Sequence, residues 1–212
     1  MTTATHCPSV TILNRYHLAA GSWIVLIAWL ASSAAAFWYF ELGEWRPFAA
    51  ESIQPFASAD AALAEQWFRS NVAPGSASGA PVRITLIHLY NPQCRCNRFT
   101  EPHLQRLKER YQSRGVRFLA AAAPHSPAIA RAPLDMPLIR SKDGMLAAAG
   151  VDTAPAALIF DNDGRLLYYG PYSDSAWCGS AGTLVDTVLD RALSGAKTMT
   201  GISATRGCFC EW

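Results

Sequence analysis

Residues 18 to 40, LAAGSWIVLIAWLASSAAAFWYF, run for 23 positions without a charged side chain. An α-helix rises about 1.5 Å per residue, so this stretch is long enough to cross a hydrocarbon layer of roughly 30 Å. It ends in Phe37, Trp38 and Tyr39, ring types that favour a membrane–water interface. Arg15 precedes it in an arm with no acid, whereas Glu41, Glu44 and Arg46 follow it. The positive-inside rule then predicts a cytoplasmic arm (1–17), a transmembrane helix (18–40) and an extracytoplasmic remainder. That is the layout of a single-pass protein of the inner, cytoplasmic membrane with a periplasmic domain. A cleaved leader is the alternative, with the small residues Ala34, Ala35 and Ala36 as the cut. Either way residues 41–212 reach a compartment where disulfides persist.

Half of the 212 residues are hydrophobic and 16% are charged, which is apolar for a wholly soluble chain. Net charge is +2, with the cations scattered among acids, so no nucleic-acid partner is expected. Residues 41–81 read as a connector followed by one helix over 58–72, with Ala62, Leu63, Trp67 and Phe68 at helical spacing. VRITLIHLY (82–90) is β-branched or apolar at nearly every position and reads as a buried central strand. A helix follows within 97–115. It carries Phe99, Leu104, Leu107 and Tyr111 at apolar positions, and Pro102 calls for a start near Thr100 or a kinked first turn. A strand (116–123), a loop, a short strand and helix (137–151), and a hairpin (156–170) about Asp161-Asn162-Asp163-Gly164 come next. A helix with Leu184, Val185, Val188, Leu189 and Leu193 on one face closes the domain at Gly195. Residues 196–212 hold few core-forming side chains and read as a tail. The element order predicts a three-layer α/β/α sandwich with a mixed sheet, its first strands parallel and its hairpin antiparallel.

A strand, then a cysteine opening a helix, then DGMLAAAGVDTAPAALIFDNDGRLLYYG resembles the thioredoxin-like superfamily over residues 82–195. The nearest pattern is that of membrane-anchored extracytoplasmic thiol-disulfide oxidoreductases and peroxiredoxin-like proteins. The resemblance implies that Pro155 follows a cis bond and faces the active cysteine. It also implies thiol-disulfide exchange on a thiol- or disulfide-containing protein substrate, with no cofactor.

That family places Cys-x-x-Cys at the helix start, where the positive end of the helix stabilises a thiolate. Here Cys94 takes the first place, Asn97 stands where the second cysteine belongs, and the second cysteine is Cys96. Residues two apart point almost oppositely in a helix, so a Cys94–Cys96 bridge needs Cys94 in the turn and makes a strained ring. Three readings are open. Cys94 and Cys96 form a redox pair, with Cys94 attacking and Cys96 resolving; Cys94 is resolved by the tail pair Cys208/Cys210; or the thiols hold copper or zinc, with His88, His103 or His125 adding a ligand. We take the first as the working expectation, and copper delivery or a non-catalytic scaffold as the alternatives. Arg95 between the cysteines is expected to lower a thiol pKa. Cys178 is expected to pair structurally with a tail cysteine. With Cys7 in the cytoplasmic arm, five cysteines remain, an odd number. His88 is expected in the core and His103 and His125 in solvent. The Asp161–Gly164 run is read as a turn and not as a calcium loop, and Trp67, Trp177 and Trp212 as packing residues.

Overall fold

The computed structural model describes residues 10–39, 45–48, 58–72, 81–122, 133–140, 144–172, 184–196 and 206–212. The chain divides into two units, Met1–Gly43 and Glu44–Trp212. In the first, α1 (Val10–Phe37) is one helix of 28 residues. From residue 21 onward its side chains are exposed, Trp23, Ile24, Val25, Ile27 and Trp29 among them. Among the described residues no helix is long and apolar enough to cross a membrane; the side chains of residues 10–20, which include the start of the uncharged stretch, lie outside them.

The second unit is built on a five-stranded sheet in the order β4-β3-β2-β6-β7. Its strands are β2 (Ile84–Tyr90), β3 (Val116–Ala122), β4 (Leu138–Arg140), β6 (Ala156–Asp161) and β7 (Leu166–Gly170). β2, β3 and β4 run parallel, and β6 and β7 are antiparallel additions. Side chains on a strand alternate faces, and the packing follows that period. Ile84 and Leu86 of β2, Phe118 and Ala120 of β3, and Ala157 and Ile159 of β6 meet α3 (Asn97–Tyr111) and α5 (Leu184–Leu193). Ile87, Leu89, Leu119, Ala121, Leu158 and Phe160 point the other way, onto α2 (Ser58–Asn71) and α4 (Met145–Ala148). This is the three-layer α/β/α sandwich with a mixed sheet that the sequence leads one to expect: a parallel β2–α3–β3 unit, then the β6–β7 hairpin, then α5.

The hairpin turn uses Asp161 as a local staple. Its Oδ1 accepts from the backbone N–H of Asp163 (3.0 Å) and of Arg165 (2.8 Å), and Gly164 takes the positive φ of 77° that the turn demands.

Several expectations are corrected. The connector and tail are part of the sandwich's own core. Phe48 from the connector and Phe209 from the tail lie in the α2/α4 cluster, beside Trp67, Phe68 and Val72. Three short strands, β1 (Trp45–Pro47), β8 (Arg206–Cys208) and β9 (Cys210–Glu211), tie these segments down. β1 pairs with β8, while β9 pairs with β5 (Thr153–Ala154), both antiparallel. The tail's low apolar content hides how much one ring buries: Phe209 packs edge-on against Phe48 with centroids 5.2 Å apart. α3 starts at Asn97, not near Thr100, and holds Pro102 inside. Its first turn is tight, with the N–H of Phe99 donating to the carbonyl of Cys96 at 3.0 Å. Phe99 is 40% exposed, whereas Leu104, Leu107 and Tyr111 are buried. His103 is buried too, against Tyr172, because α3 turns that face onto the sheet and α5.

Candidate functional site: a four-cysteine cluster beside a cis-proline

β2 delivers the chain to the site at Tyr90, and Asn91 organises the turn into α3. Its Oδ1 accepts from the N–H of Gln93 (3.0 Å), and its carbonyl accepts from the N–H of Cys94 (3.0 Å) and the Nδ2 of Asn97 (2.8 Å). The residue at the family's second cysteine position is thus a brace for the turn. Cys94 stays outside the helix. Cys96 is the N-cap of α3, a helix of 15 residues, and makes no side-chain cap bond.

Both Cys-x-Cys segments are oxidised against each other. Cys94 bridges Cys210, and Cys96 bridges Cys208. The expected Cys94–Cys96 pairing is not formed. Cys96 sits at the helix cap and Cys94 in the turn before it, and each meets a tail cysteine instead. The tail is extended, so Cys208 and Cys210, two residues apart, project on the same side and reach two targets. The expected link from Cys178 to the tail is also absent, since both tail cysteines are already paired; Cys178 itself lies outside the described residues, as do Cys7, His125 and Trp177.

The cluster is compact and largely dry. Cys94 and Cys96 are buried, Cys210 nearly so, and Cys208 is partly buried. The Sγ of Cys96 stands 4.0 Å from the Sγ of Cys210, its neighbour's bridge partner. The sulfurs of Cys94, Cys96 and Cys210 all lie within 4.8 Å of one another, so they would form a three-thiolate set once reduced. In the oxidised arrangement each is committed to an S–S bond.

The opposite wall is the Ala154–Pro155 peptide, which is cis as the resemblance implies. The carbonyl oxygen of Ala154 lies 3.7 Å from the Sγ of Cys94. β9 lies along the strand that leads into this proline: Thr153 is in register with Glu211 and Ala154 with Cys210. Three further bonds hold it there. The Asn91 Nδ2 donates to the Glu211 carbonyl (2.7 Å), the Trp212 N–H to the Asp152 carbonyl (2.7 Å), and the Arg46 Nε to the Phe209 carbonyl (2.6 Å).

Arg95 is exposed between the two buried cysteines. His88 lies within β2, fully buried, with Nδ1 2.8 Å from the Tyr172 hydroxyl. Desolvation lowers its pKa to about 3, so it is a neutral core residue at physiological pH. Burial also lowers the pKa of His103, an effect that the Asp186 charge opposes and the Arg106 charge assists. Trp67 and Trp212 pack as expected, and Trp212 also donates its Nε1–H to the Ala121 carbonyl at 3.3 Å. Asn91, Asn97, Arg46 and Phe209 carry no motif that marks them in the sequence as parts of this site. One signal for the pairing is present there: two cysteine pairs with the same spacing can match one another two by two.

In fold the chain is similar to several solved structures. One is a hypothetical protein from Sinorhizobium meliloti, 16% identical, which aligns over 61% of this chain and 78% of that chain with a TM-score of 0.47. Another is an uncharacterized conserved protein from Geobacillus kaustophilus, 20% identical over 61% and 76%, with a TM-score of 0.46. A third is the exposed lipoprotein thioredoxin Etrx1 from Streptococcus pneumoniae, 13% identical over 51% and 84%, with a TM-score of 0.38. No curated protein matches the sequence. Residues 64–212, which take in the second half of α2, the five-stranded sheet with its later helices and both cysteine segments, match the family described as a domain of unknown function (DUF6436), and this chain belongs to that family.

Proposed function

We propose that this protein is a membrane-anchored, extracytoplasmic thiol-disulfide oxidoreductase in which Cys94 is the exchanging thiol. The observation that carries the reading is the position of Cys94: ahead of α3, 3.7 Å from the carbonyl that precedes cis-Pro155, and already in a disulfide with an extended segment lying along β5. That segment occupies the place a substrate cysteine would take. Cys210 replaces Cys96 as the immediate partner of Cys94. Pro155 is the backbone wall against which the incoming segment lies, and Arg95 supplies fixed positive charge beside the thiol. The substrate is a protein bearing a thiol or disulfide. The anchor is supported by the uncharged stretch 18–40, and the exported location by that stretch together with two disulfides in one domain. Turnover of a protein disulfide by the reduced full chain, with a small dithiol as electron source, should be lost in Cys94→Ser. Undiminished turnover in that variant would remove Cys94 from the chemistry.

A second reading has its own support in the three clustered sulfurs. A fully reduced site would suit a soft cation such as Cu(I), or zinc. Mass spectrometry of the reduced chain under native conditions decides it: a bound metal lost in Cys94→Ser favours a carrier, and metal-free protein favours exchange.

A further inference from the structure

The two bridges differ in access. Cys208 is partly buried, whereas Cys96 is 1%, Cys94 5% and Cys210 9% exposed, so a thiol arriving from solvent meets the Cys96–Cys208 bridge at Cys208, the most accessible of the four cysteines. Attack there expels Cys96. Cys96 sits at the N-cap of a 15-residue helix, with no side-chain cap bond and no acid in the first turn, a place that favours a thiolate. The atom facing it at 4.0 Å is the Sγ of Cys210, half of the other bridge.

We propose that Cys96 is an internal nucleophile that carries a reduction received at Cys208 through to Cys94. The inference rests on the thiol-exchange reading above. First, a thiolate of a partner dithiol attacks the Cys208 Sγ. The Cys96–Cys208 bond breaks, and its electron pair stays on Cys96 as thiolate. The partner's second thiol loses its proton and displaces Cys208, which leaves as thiolate and takes up a proton; the partner departs as a disulfide. Meanwhile the Cys96 thiolate attacks the Cys210 Sγ. A Cys96–Cys210 bond forms, the Cys94–Cys210 bond breaks, and the electron pair leaves with Cys94. The two electrons that enter at the accessible edge leave Cys208 and Cys94 as the two reduced thiols, with one bridge, Cys96–Cys210, remaining. Attack at the Cys94 Sγ instead would close the short Cys94–Cys96 ring, which the turn disfavours. The swap lets Cys94 become nucleophilic while the tail stays tethered through Cys210.

The test treats the oxidised full chain with one equivalent of dithiothreitol, quenches with acid, unfolds, alkylates and maps the linked peptides. The expected result is loss of the Cys94–Cys210 peptide, appearance of a Cys96–Cys210 peptide, and alkyl label on Cys94 and Cys208. An intact Cys94–Cys210 peptide with label on Cys96 and Cys208, or a Cys94–Cys96 peptide with label on Cys210, overturns the proposal. In Cys208→Ser without reductant, label is expected on Cys94; it should disappear in Cys96→Ala/Cys208→Ser. Label confined to Cys96 in the single variant also overturns it, and the wild-type arm stands if that variant does not fold. The exchange reading fails separately: the Cys96–Cys210 peptide would form while the chain turned over no protein disulfide.

Discussion

Residues 94–96 and residues 208–210 carry the same Cys-x-Cys spacing on unlike supports. The first segment leaves β2, the central strand of the sheet, and enters a 15-residue helix, with Asn91 bracing the turn between them. The second is held by two strand pairs of two or three residues, a few hydrogen bonds, one buried ring and its own sulfurs. The difference assigns roles by mechanics. The helix-side cysteines are fixed points, and the tail is the part whose attachment can change without dismantling the sandwich.

Breaking the attachment altogether should give the largest effect. The bridges span sequence separations of 116 and 112 residues. Either one alone closes a loop of that size, worth about 4.7 kcal/mol in the chain-entropy relation. Once one is present, the other closes only a ring of about six residues, worth about 2 kcal/mol by the same relation. Cys208→Ser should therefore cost about 2 kcal/mol, as should Cys210→Ser, and Cys208→Ser/Cys210→Ser about 7 kcal/mol. Denaturant titration of the three variants checks this. Losses that simply add would mean that the bridges do not share one large loop. The nesting also bears on function, because a bridge that costs so little to open singly can cycle while the domain stays folded.

The fixed side can be probed by pH. Burial holds the His88 pKa at about 3, against an ordinary 6.5. Between those values the unfolded chain binds a proton that the folded chain excludes. Stability should then fall by about 1.4 kcal/mol for each pH unit below 6.5, flattening near pH 3, and be unaffected by this group above 6.5. His88→Gln keeps a polar partner for the Tyr172 hydroxyl but does not titrate, so its stability profile should lose that slope. If the slope is unchanged in His88→Gln, the strand beneath the cysteines is not as dry as its packing implies.

The contrast between the segments also explains which parts of the molecule were legible in the sequence. The sandwich was, because period-2 burial in β2, β3 and β6 and the Asp161–Gly164 turn are local signals that each strand carries by itself. Cis-Pro155 was legible only through resemblance, since nothing in Thr153-Ala154-Pro155 alone selects the isomer. The cysteine pairing was not, because it depends on where a chain comes back after more than a hundred residues. The tail looked like a tail because its average apolarity is low, and an average does not register one Phe209 placed against Phe48. His103 misled for a related reason: whether a helical histidine is buried depends on Tyr172, which another part of the chain supplies.

Asn91 links the two sides directly, through the turn on one hand and the Glu211 carbonyl on the other. Asn91→Ala leaves its backbone carbonyl bonds to Cys94 and Asn97 in place and removes both side-chain bonds. The expected cost is about 1 kcal/mol. Because the loss falls on the tail's attachment, Cys96–Cys208 should be reduced faster by a small dithiol than in the parent. Equal reduction rates would place control of access elsewhere, in the β1–β8 pair.

The smallest effect is expected far from both segments, where α3 meets α5. Arg114 Nη1 lies 2.8 Å from Asp190 Oδ1, and Arg110 Nη2 lies 3.4 Å from Asp190 Oδ2. Partial desolvation pushes the Asp190 carboxyl upward, but hydrogen bonds from Arg114 and Tyr111 and the two arginine charges outweigh it and hold the pKa below its ordinary value. Its contribution to stability is therefore present at neutral pH and is lost as pH falls through the carboxylate range. The side chains are 42–56% exposed, so solvent screens the pairs and Asp190→Asn should cost less than about 1 kcal/mol, and less again in high salt. The same variant should leave the reduction rate of both bridges unchanged. A faster rate in Asp190→Asn would mean that the helix-side segment draws its rigidity from the α3–α5 contact as well as from β2, and the division between a fixed side and a movable tail would have to be redrawn to include α3.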